Sequence, residues 1–338
     1  MTRYRTVLLL LIVLLVVLVP CGMLLGSVSI PAAQVWGALT GDSSVGEVVR
    51  IIVLETRLPS VVASLLAGMA LSVAGLLMQT TFSNPLAGPS IMGISAGSSL
   101  GVALVMLALG GSLGALGRLA TIGGAFAGAV AVMAVLLVFS NLVRSSEVLL
   151  IVGILIGYLA SSAISLLNFF ASSEGVHSYV IWGLGSFSGV TSDALPLFAA
   201  LATGLTVLSA FFAKPLNAML LGQRYASNVG VNVSRVRTWL ILLSGALTAV
   251  VTAWCGPIGF IGLAMPHVAR MLIRSSNHTR LIPASALCGA LAGLLCQILS
   301  VAPAMDRGVL PVNAITPLLG VPVIIYVLLN RRKLAYFN

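Results

Sequence analysis

The chain has 338 residues, of which 59% are hydrophobic and only 7% charged, with a mean hydropathy of +1.15. Soluble domains carry about 25% charged residues, so this composition excludes one. A net charge of +10 would suit a nucleic-acid binder if the cations formed one patch, but here they sit between long apolar runs.

Those runs recur at about the 20-residue length that crosses a bilayer as a helix. They predict an all-α polytopic membrane protein with about ten spans, at 7–27, 58–80, 91–109, 119–140, 147–170, 191–212, 236–255, a shorter one at 258–273, 283–301 and 313–330. The first run follows Arg3 and Arg5 and imitates a signal peptide. It exceeds a usual signal-peptide core, and its removal would invert the charge pattern described below, so it is read as a span. Residues 28–57 are mildly amphipathic and predict helical segments on the outer surface. Arg57-Leu58-Pro59 opens the second span, with Pro at a helix start where its missing N–H does no harm. Ser83-Asn84-Pro85 makes the turn into a Gly- and Ser-rich third span. Span four carries Gly124-x-x-x-Gly128 and span nine Gly289-x-x-x-Gly293, spacings that let helices approach closely in lipid.

Span five carries Tyr158, Ser161, Ser165, Asn168 and Ser172, at spacings that share one helical face. Such a stripe faces protein or a water-filled path rather than lipid. Packing with back-bonded serines is the alternative. A similar stripe in span two (Ser64, Gly68, Ser72, Gly75, Gln79) favours packing. Residues 171–190 are too polar to span and lie outside. The longest inner loop, 213–236, contains a short amphipathic segment suited to the membrane surface or a cytoplasmic partner.

With the N-terminus in the cytoplasm, only Arg50, Arg57, Arg118 and Arg307 among the basic residues fall outside, and only Glu147 among the acids falls inside. That bias obeys the positive-inside rule with both termini cytoplasmic. The stretch 57–101 and the stretch 237–267 share LL-x-G-x-x-L and a Gly-Pro followed by Gly-Ile or Gly-Leu. Spans two to five (57–170) and seven to ten (236–330) then form two internal repeats of one transmembrane domain covering 1–338. Their starts are separated by an odd number of spans, so the repeat is inverted.

Gly93-x-Ser95-x-Gly97 matches the nucleophile elbow of serine hydrolases, which requires a strand–turn–helix with His and an acid nearby. A membrane serine hydrolase using Ser95 is therefore one alternative function, and an autonomous channel another. The four cysteines show no CxxC spacing and read as small buried hydrophobes. His267, at the inner end of a short span, reads as a structural hydrogen-bonder rather than a haem ligand. The lysines, Lys214 and Lys333, do not follow glycine, so no phosphate-binding Gly-Lys exists. No acid sits mid-span, which disfavours a proton- or sodium-driven carrier. The energy for transport must come from elsewhere.

The chain resembles the FecCD-type permeases, the membrane subunits of bacterial ABC importers for ferric siderophores, haem and cobalamin. The matching residues are Arg57-Leu58-Pro59, Asn84-Pro85-Leu86-Ala87, Gly93-x-Ser95-x-Gly97, Trp182 with Gly185-Ser186-Phe187-Ser188-Gly189, Gly256-Pro257-Ile258-Gly259-Phe260-Ile261-Gly262-Leu263 with Pro266-His267, and Leu310-Pro311-Val312 with Gly320-Val321-Pro322. The resemblance implies the type II ABC importer architecture in the bacterial inner membrane. It also implies a second copy of the chain, two cytoplasmic ATPase subunits that hold ATP and Mg, and a periplasmic or lipid-anchored binding protein. This chain would itself carry no catalytic residue, metal or cofactor, contact membrane lipid and bind no nucleic acid. The segment 213–230, with Leu220, Leu221, Gly222, Gln223, Arg224, Ala226 and Val229, is similar to the family's ATPase-coupling region, although Gln223 and Arg224 stand where an acid is usual. Ser145 and Ser146 fall near its cytoplasmic gate and 171–190 at its outer gate. The family often has a second Arg just after Arg-Leu-Pro, where this chain has Ser60. Docking of the binding protein would then fall to Arg57, with Arg50 and Arg307.

Overall fold

A computed structural model describes residues 2–108, 114–143, 145–301 and 309–329. The described residues are helical, without a strand. Helix α1 (Thr2–Leu24) is followed by two short outer helices, α2 (Ala32–Thr40) and α3 (Glu47–Ile51). A π-helical turn, Ile52–Arg57, then runs without a break into α4 (Leu58–Thr81). The first half continues with α5 (Ile94–Ala103), α6 (Gly114–Leu142) and α7 (Ser146–Phe170). Between the halves lie α8 (Ser173–Gly183), α9 (Leu195–Ala210), α10 (Ala213–Leu220) and α11 (Gln223–Asn228). The second half comprises α12 (Val233–Cys255), α13 (Ile261–Ile273), α14 (His278–Val301) and α15 (Val312–Leu329).

Among the described residues six helices are long and apolar enough to cross a membrane, α9 and α10 pass the same test only as a pair bent by 52°, and three shorter apolar helices fall at the predicted spans 91–109, 258–273 and 313–330. The two halves repeat one pattern, in which a long helix is followed by a short one and then two longer ones. Each short helix starts from a left-handed residue, Gly93 (φ 76°) before α5 and Phe260 (φ 65°) before α13. The halves also clasp each other reciprocally. The third helix of each packs on the first helix of the other, α14 on α4 and α6 on α12.

Helix α4 is the hub, buried along nearly its whole length between α9, α12, α13 and α14. In lipid the hydrophobic effect does not drive helices together, so close packing and interhelical hydrogen bonds must. The predicted small-residue stripe of α4 supplies both. A Cβ on Gly68 or Gly75 would run into the carbonyl oxygens of Gly289 or Gly262, so the backbones touch there. Ser72 Oγ donates to Ser285 O at 2.7 Å, and Gln79 Nε2 donates to Leu263 O at 3.0 Å. Ser244 Oγ of α12 returns a bond to Ala74 O at 3.0 Å. Bonds of this kind average about 0.6 kcal/mol in membranes, so the helix is held by their number and by close packing.

The two Gly-x-x-x-Gly motifs are both used, with different partners. Gly124 and Gly128 meet Gly101 and Gly97 of α5 within the first half, whereas Gly289 and Gly293 meet Gly68 and Ser64 of α4 across the halves. Helices α1, α6 and α7 form the periphery and bury only a minor part of their apolar surface in the protomer.

Candidate transport path and coupling elements

Helix α7 carries the predicted polar stripe on a face that the rest of the protomer does not cover. Tyr158, Ser161 and Ser165 are exposed and Asn168 is half-buried. The serine hydroxyls donate to carbonyls one turn back, Ser161 Oγ to Gly157 O at 2.9 Å and Ser165 Oγ to Ser161 O at 3.0 Å. Back-bonding and an open face therefore coexist. Along the same helix Leu155, Leu159, Leu166, Phe169 and Phe170 are also exposed. On α15, Leu318, Ile325, Tyr326 and Leu329 are likewise uncovered.

Ser172 departs from the predicted stripe. Helix α7 ends at Phe170, Ala171 is extended, and Ser172 caps α8 by accepting the Gly175 N–H at 3.2 Å. Its hydroxyl thus starts the outer helix instead of lining α7. At the other end of α7, Ser145 is the N-cap, accepting from Val148 N at 3.4 Å, and Ser146 is the first helical residue.

Arg57 is the second correction. It is 5% exposed, and its guanidinium donates to Met23 O at 2.9 Å, Leu24 O at 3.0 Å and Val28 O. These carbonyls lie at and just beyond the end of α1, where a cation complements the helix dipole. Arg57 ties α1 to the start of α4 and offers no surface for docking. Arg50 is exposed beside Glu47 and Glu55 in a surface hollow of about 730 Å³. Arg307 lies outside the described residues.

The predicted coupling segment forms the elbow between α9 and α12. Gly222, at φ 102°, separates α10 from α11. Leu221 and Val229 are 65% and 55% exposed, Arg224 and Gly222 are exposed, Leu220 and Gln223 are half-buried, and Ala226 is fully buried. Gln223 Oε1 accepts from Arg237 Nη2 at 3.3 Å, which anchors α11 to α12. Sequence reasoning missed Tyr225, 49% exposed between Leu221 and Val229 at four-residue spacing; that spacing was its available signal.

It also missed Asn217 of α10. The Asn217 Oδ1 accepts from the backbone N–H of His278 at 2.7 Å, and His278 Nε2 lies 2.8 Å from Thr80 Oγ1 at the end of α4. The elbow is thereby joined to the hub helix through the start of α14. Nearby, Arg270 Nη1 donates to Gln79 Oε1 at 3.1 Å, and His267 Nε2 lies 2.9 Å from the Pro85 carbonyl, as suits a structural histidine.

Ser95 lies buried in the first turn of α5, within an all-helical surround, so the strand–turn–helix that makes such a serine nucleophilic is not built. Among the described residues no group of three or more His, Cys, Asp or Glu could hold a metal ion.

The model of the FecCD transport family matches residues 10–330. The chain belongs to the FecCD transport family. It is 33% identical over 331 residues to the hemin transport system permease protein HmuU of Yersinia pestis, covering 96% of this chain and 95% of that one. It is 35% identical over 307 residues to the vitamin B12 import system permease protein BtuC of Salmonella typhi, covering 90% and 91%. Among solved structures, an inward-facing conformation of a metal-chelate type ABC transporter superposes with a TM-score of 0.83 at 27% identity, covering 97% of this chain and 99% of that one. As a FecCD chain it is a permease subunit with the type II importer fold and not an enzyme. The reading of Ser95 as a hydrolase nucleophile has no support.

Proposed function

We propose that this permease is one half of a homodimeric, ATP-driven importer of the bacterial inner membrane. It would carry a metal-chelate nutrient inward along an axis lined by the open faces of α7 and α15. The observation that carries this reading is the peripheral α7, whose Tyr158, Ser161 and Ser165 have no cover in the protomer yet form a polar face unsuited to lipid. The names of two relatives, hemin and vitamin B12 permeases, support a metal-chelate substrate, with ferric siderophores in the same class.

Two ATPase subunits would dock on the α10–α11 elbow and hold ATP and Mg. A binding protein would dock on the outer helices around Arg50 and deliver substrate. The charge bias supports cytoplasmic termini, and the absence of any Gly-Lys in the sequence supports an external ATPase.

Reconstituting the permease with its ATPase in liposomes, with loaded binding protein outside, should give uptake that stops without ATP. Uptake indifferent to ATP would overturn the importer and favour an autonomous channel. Ser165→Trp should abolish uptake while the complex still assembles. Transport through that variant would return the α7 stripe to packing alone.

A further inference from the structure

Helix α8 follows the path helix α7 on the outer side and buries only Gly175 among its residues. Half-buried Tyr179 and Trp182 rest against the core from its middle, and its two ends add fixed points. Its N-terminal end starts from the Ser172 cap. Its C-terminal end enters a junction of three elements that are far apart in sequence, namely the end of α8, the loop between α12 and α13, and the start of α15.

One side chain joins all three. Asn313, in the first turn of α15, donates from Nδ2 to the Gly183 carbonyl at the end of α8, at 3.1 Å, and to the Pro257 carbonyl of the loop. Its Oδ1 accepts the Gly259 N–H at 3.3 Å. The backbone completes the junction, with Asn313 N donating to Leu184 O, Val312 N to Gly185 O, and Ser186 N to Cys255 O at 2.9 Å. The approach is close. Gly185 and Gly256 both have positive φ, and a Cβ on Gly256 would run into the Trp182 carbonyl and Gly185 Cα. Behind this junction α8 lines a chamber of about 400 Å³, with Trp182 and Ser178 on its side and Arg118 and Trp254 opposite.

We propose that Asn313 is the residue that positions the outer gate, a polar latch whose amide holds α8 closed over the outer end of the path until the transport cycle breaks it. An amide suits this role because its donors and acceptor serve three backbone groups at once. Those groups can turn to water when the latch parts, so opening costs little. An apolar plug would instead have to expose its buried surface. The proposal rests on the importer reading and on the family resemblance that puts 171–190, and so α8, at the outer gate.

The native thiol of Cys255 is a built-in reporter, since it is 2% exposed and its carbonyl accepts the Ser186 N–H. With C21S, C288A and C296A as background, the full permease–ATPase complex in nanodiscs is exposed to a membrane-impermeant maleimide, at rest and with ATP and vanadate. The parent should label slowly at rest and faster with nucleotide. N313A and N313L should label about tenfold faster at rest, the effect of losing the three side-chain hydrogen bonds, and should no longer respond to nucleotide. N313D keeps the Gly259 acceptor and loses both donations, so it should fall between. The melting temperature should stay at the parent's value.

Parent-like resting rates in N313A and N313L would overturn the latch. A fall in melting temperature that tracks the labelling gain would also overturn it, because a loosened fold would then explain the access. A parent that ignores nucleotide altogether would overturn the gate reading beneath it, a result distinct from either.

Discussion

Glycines in this chain are not interchangeable, and two neighbours on α6 show why. Gly128 faces Gly97 so closely that a Cβ would collide with the carbonyl oxygen, whereas Gly123 has nothing within 4 Å. Gly128→Ala should therefore lower the unfolding midpoint in detergent, as expected for overpacking of about 1–3 kcal/mol. Gly123→Ala should leave the midpoint unchanged or raise it, since Ala is the better helix former by about 0.5–1 kcal/mol. Equal behaviour of the two would show that the α5–α6 contact does not determine stability. Arg57 makes the same point for a charge. Its planar fork serves three carbonyls at the end of α1, a geometry that the point charge of lysine cannot reproduce.

At the scale of elements, the α10–α11 elbow has two sides with different tasks. Leu221, Tyr225 and Val229 face away from the protein, while Asn217 faces inward to His278 and through it to Thr80. Leu221→Ala with Tyr225→Ala should weaken ATPase binding and cut ATP-driven uptake about tenfold or more, because exposed apolar and aromatic anchors dominate such interfaces. The permease itself should keep its thermal stability. Asn217→Ala should instead leave ATPase binding intact and lower the uptake obtained per ATP hydrolysed, because the inward link from elbow to α4 is cut. If both variants lost binding alike, the division of labour would be wrong.

For the whole molecule, the uncovered faces of α7 and α15 and those of α1 pose different questions. Helix α1 is apolar all round, with Leu9, Leu10, Val16 and Val17 exposed, and meets lipid. Helix α7 mixes Ser161 and Ser165 with leucines, and a two-fold axis beside it would make each copy cover the other. In a cysteine-free background, oxidative cross-linking of Ser161→Cys in native membranes should give a band at twice the 34.7 kDa chain mass, and Val16→Cys should not. Dimers from Val16→Cys alone would place the axis on the other side of the protomer.

Hydropathy, the placement of Lys and Arg, and Gly/Pro interruptions are local properties of sequence. They suffice for an all-helical chain with several membrane spans, the short helices α5 and α13, the elbow at 213–230 and the membership of a transport family. The reciprocal packing of the halves is also foreshadowed, because Gly-x-x-x-Gly marks a close approach wherever it falls. It does not say which helix approaches, and the two motifs chose different kinds of partner.

Side-chain roles that end on distant backbone carbonyls were not legible. Arg57 reads from sequence as a surface cation because Met23, Leu24 and Val28 carry no mark that their carbonyls await a donor. Ser172 reads as part of a stripe because nothing in its spacing reveals that α7 stops two residues earlier. Asn313, Asn217 and His278 look unremarkable until folding brings together groups 54 to 198 positions apart. Sequence by itself determined that this protein crosses the membrane many times and what class of machine it is, since burial in lipid is a sum over residues. Only the tertiary structure decided which polar groups hold that machine together, since every buried donor must find an acceptor and most acceptors here are backbone oxygens common to all residues.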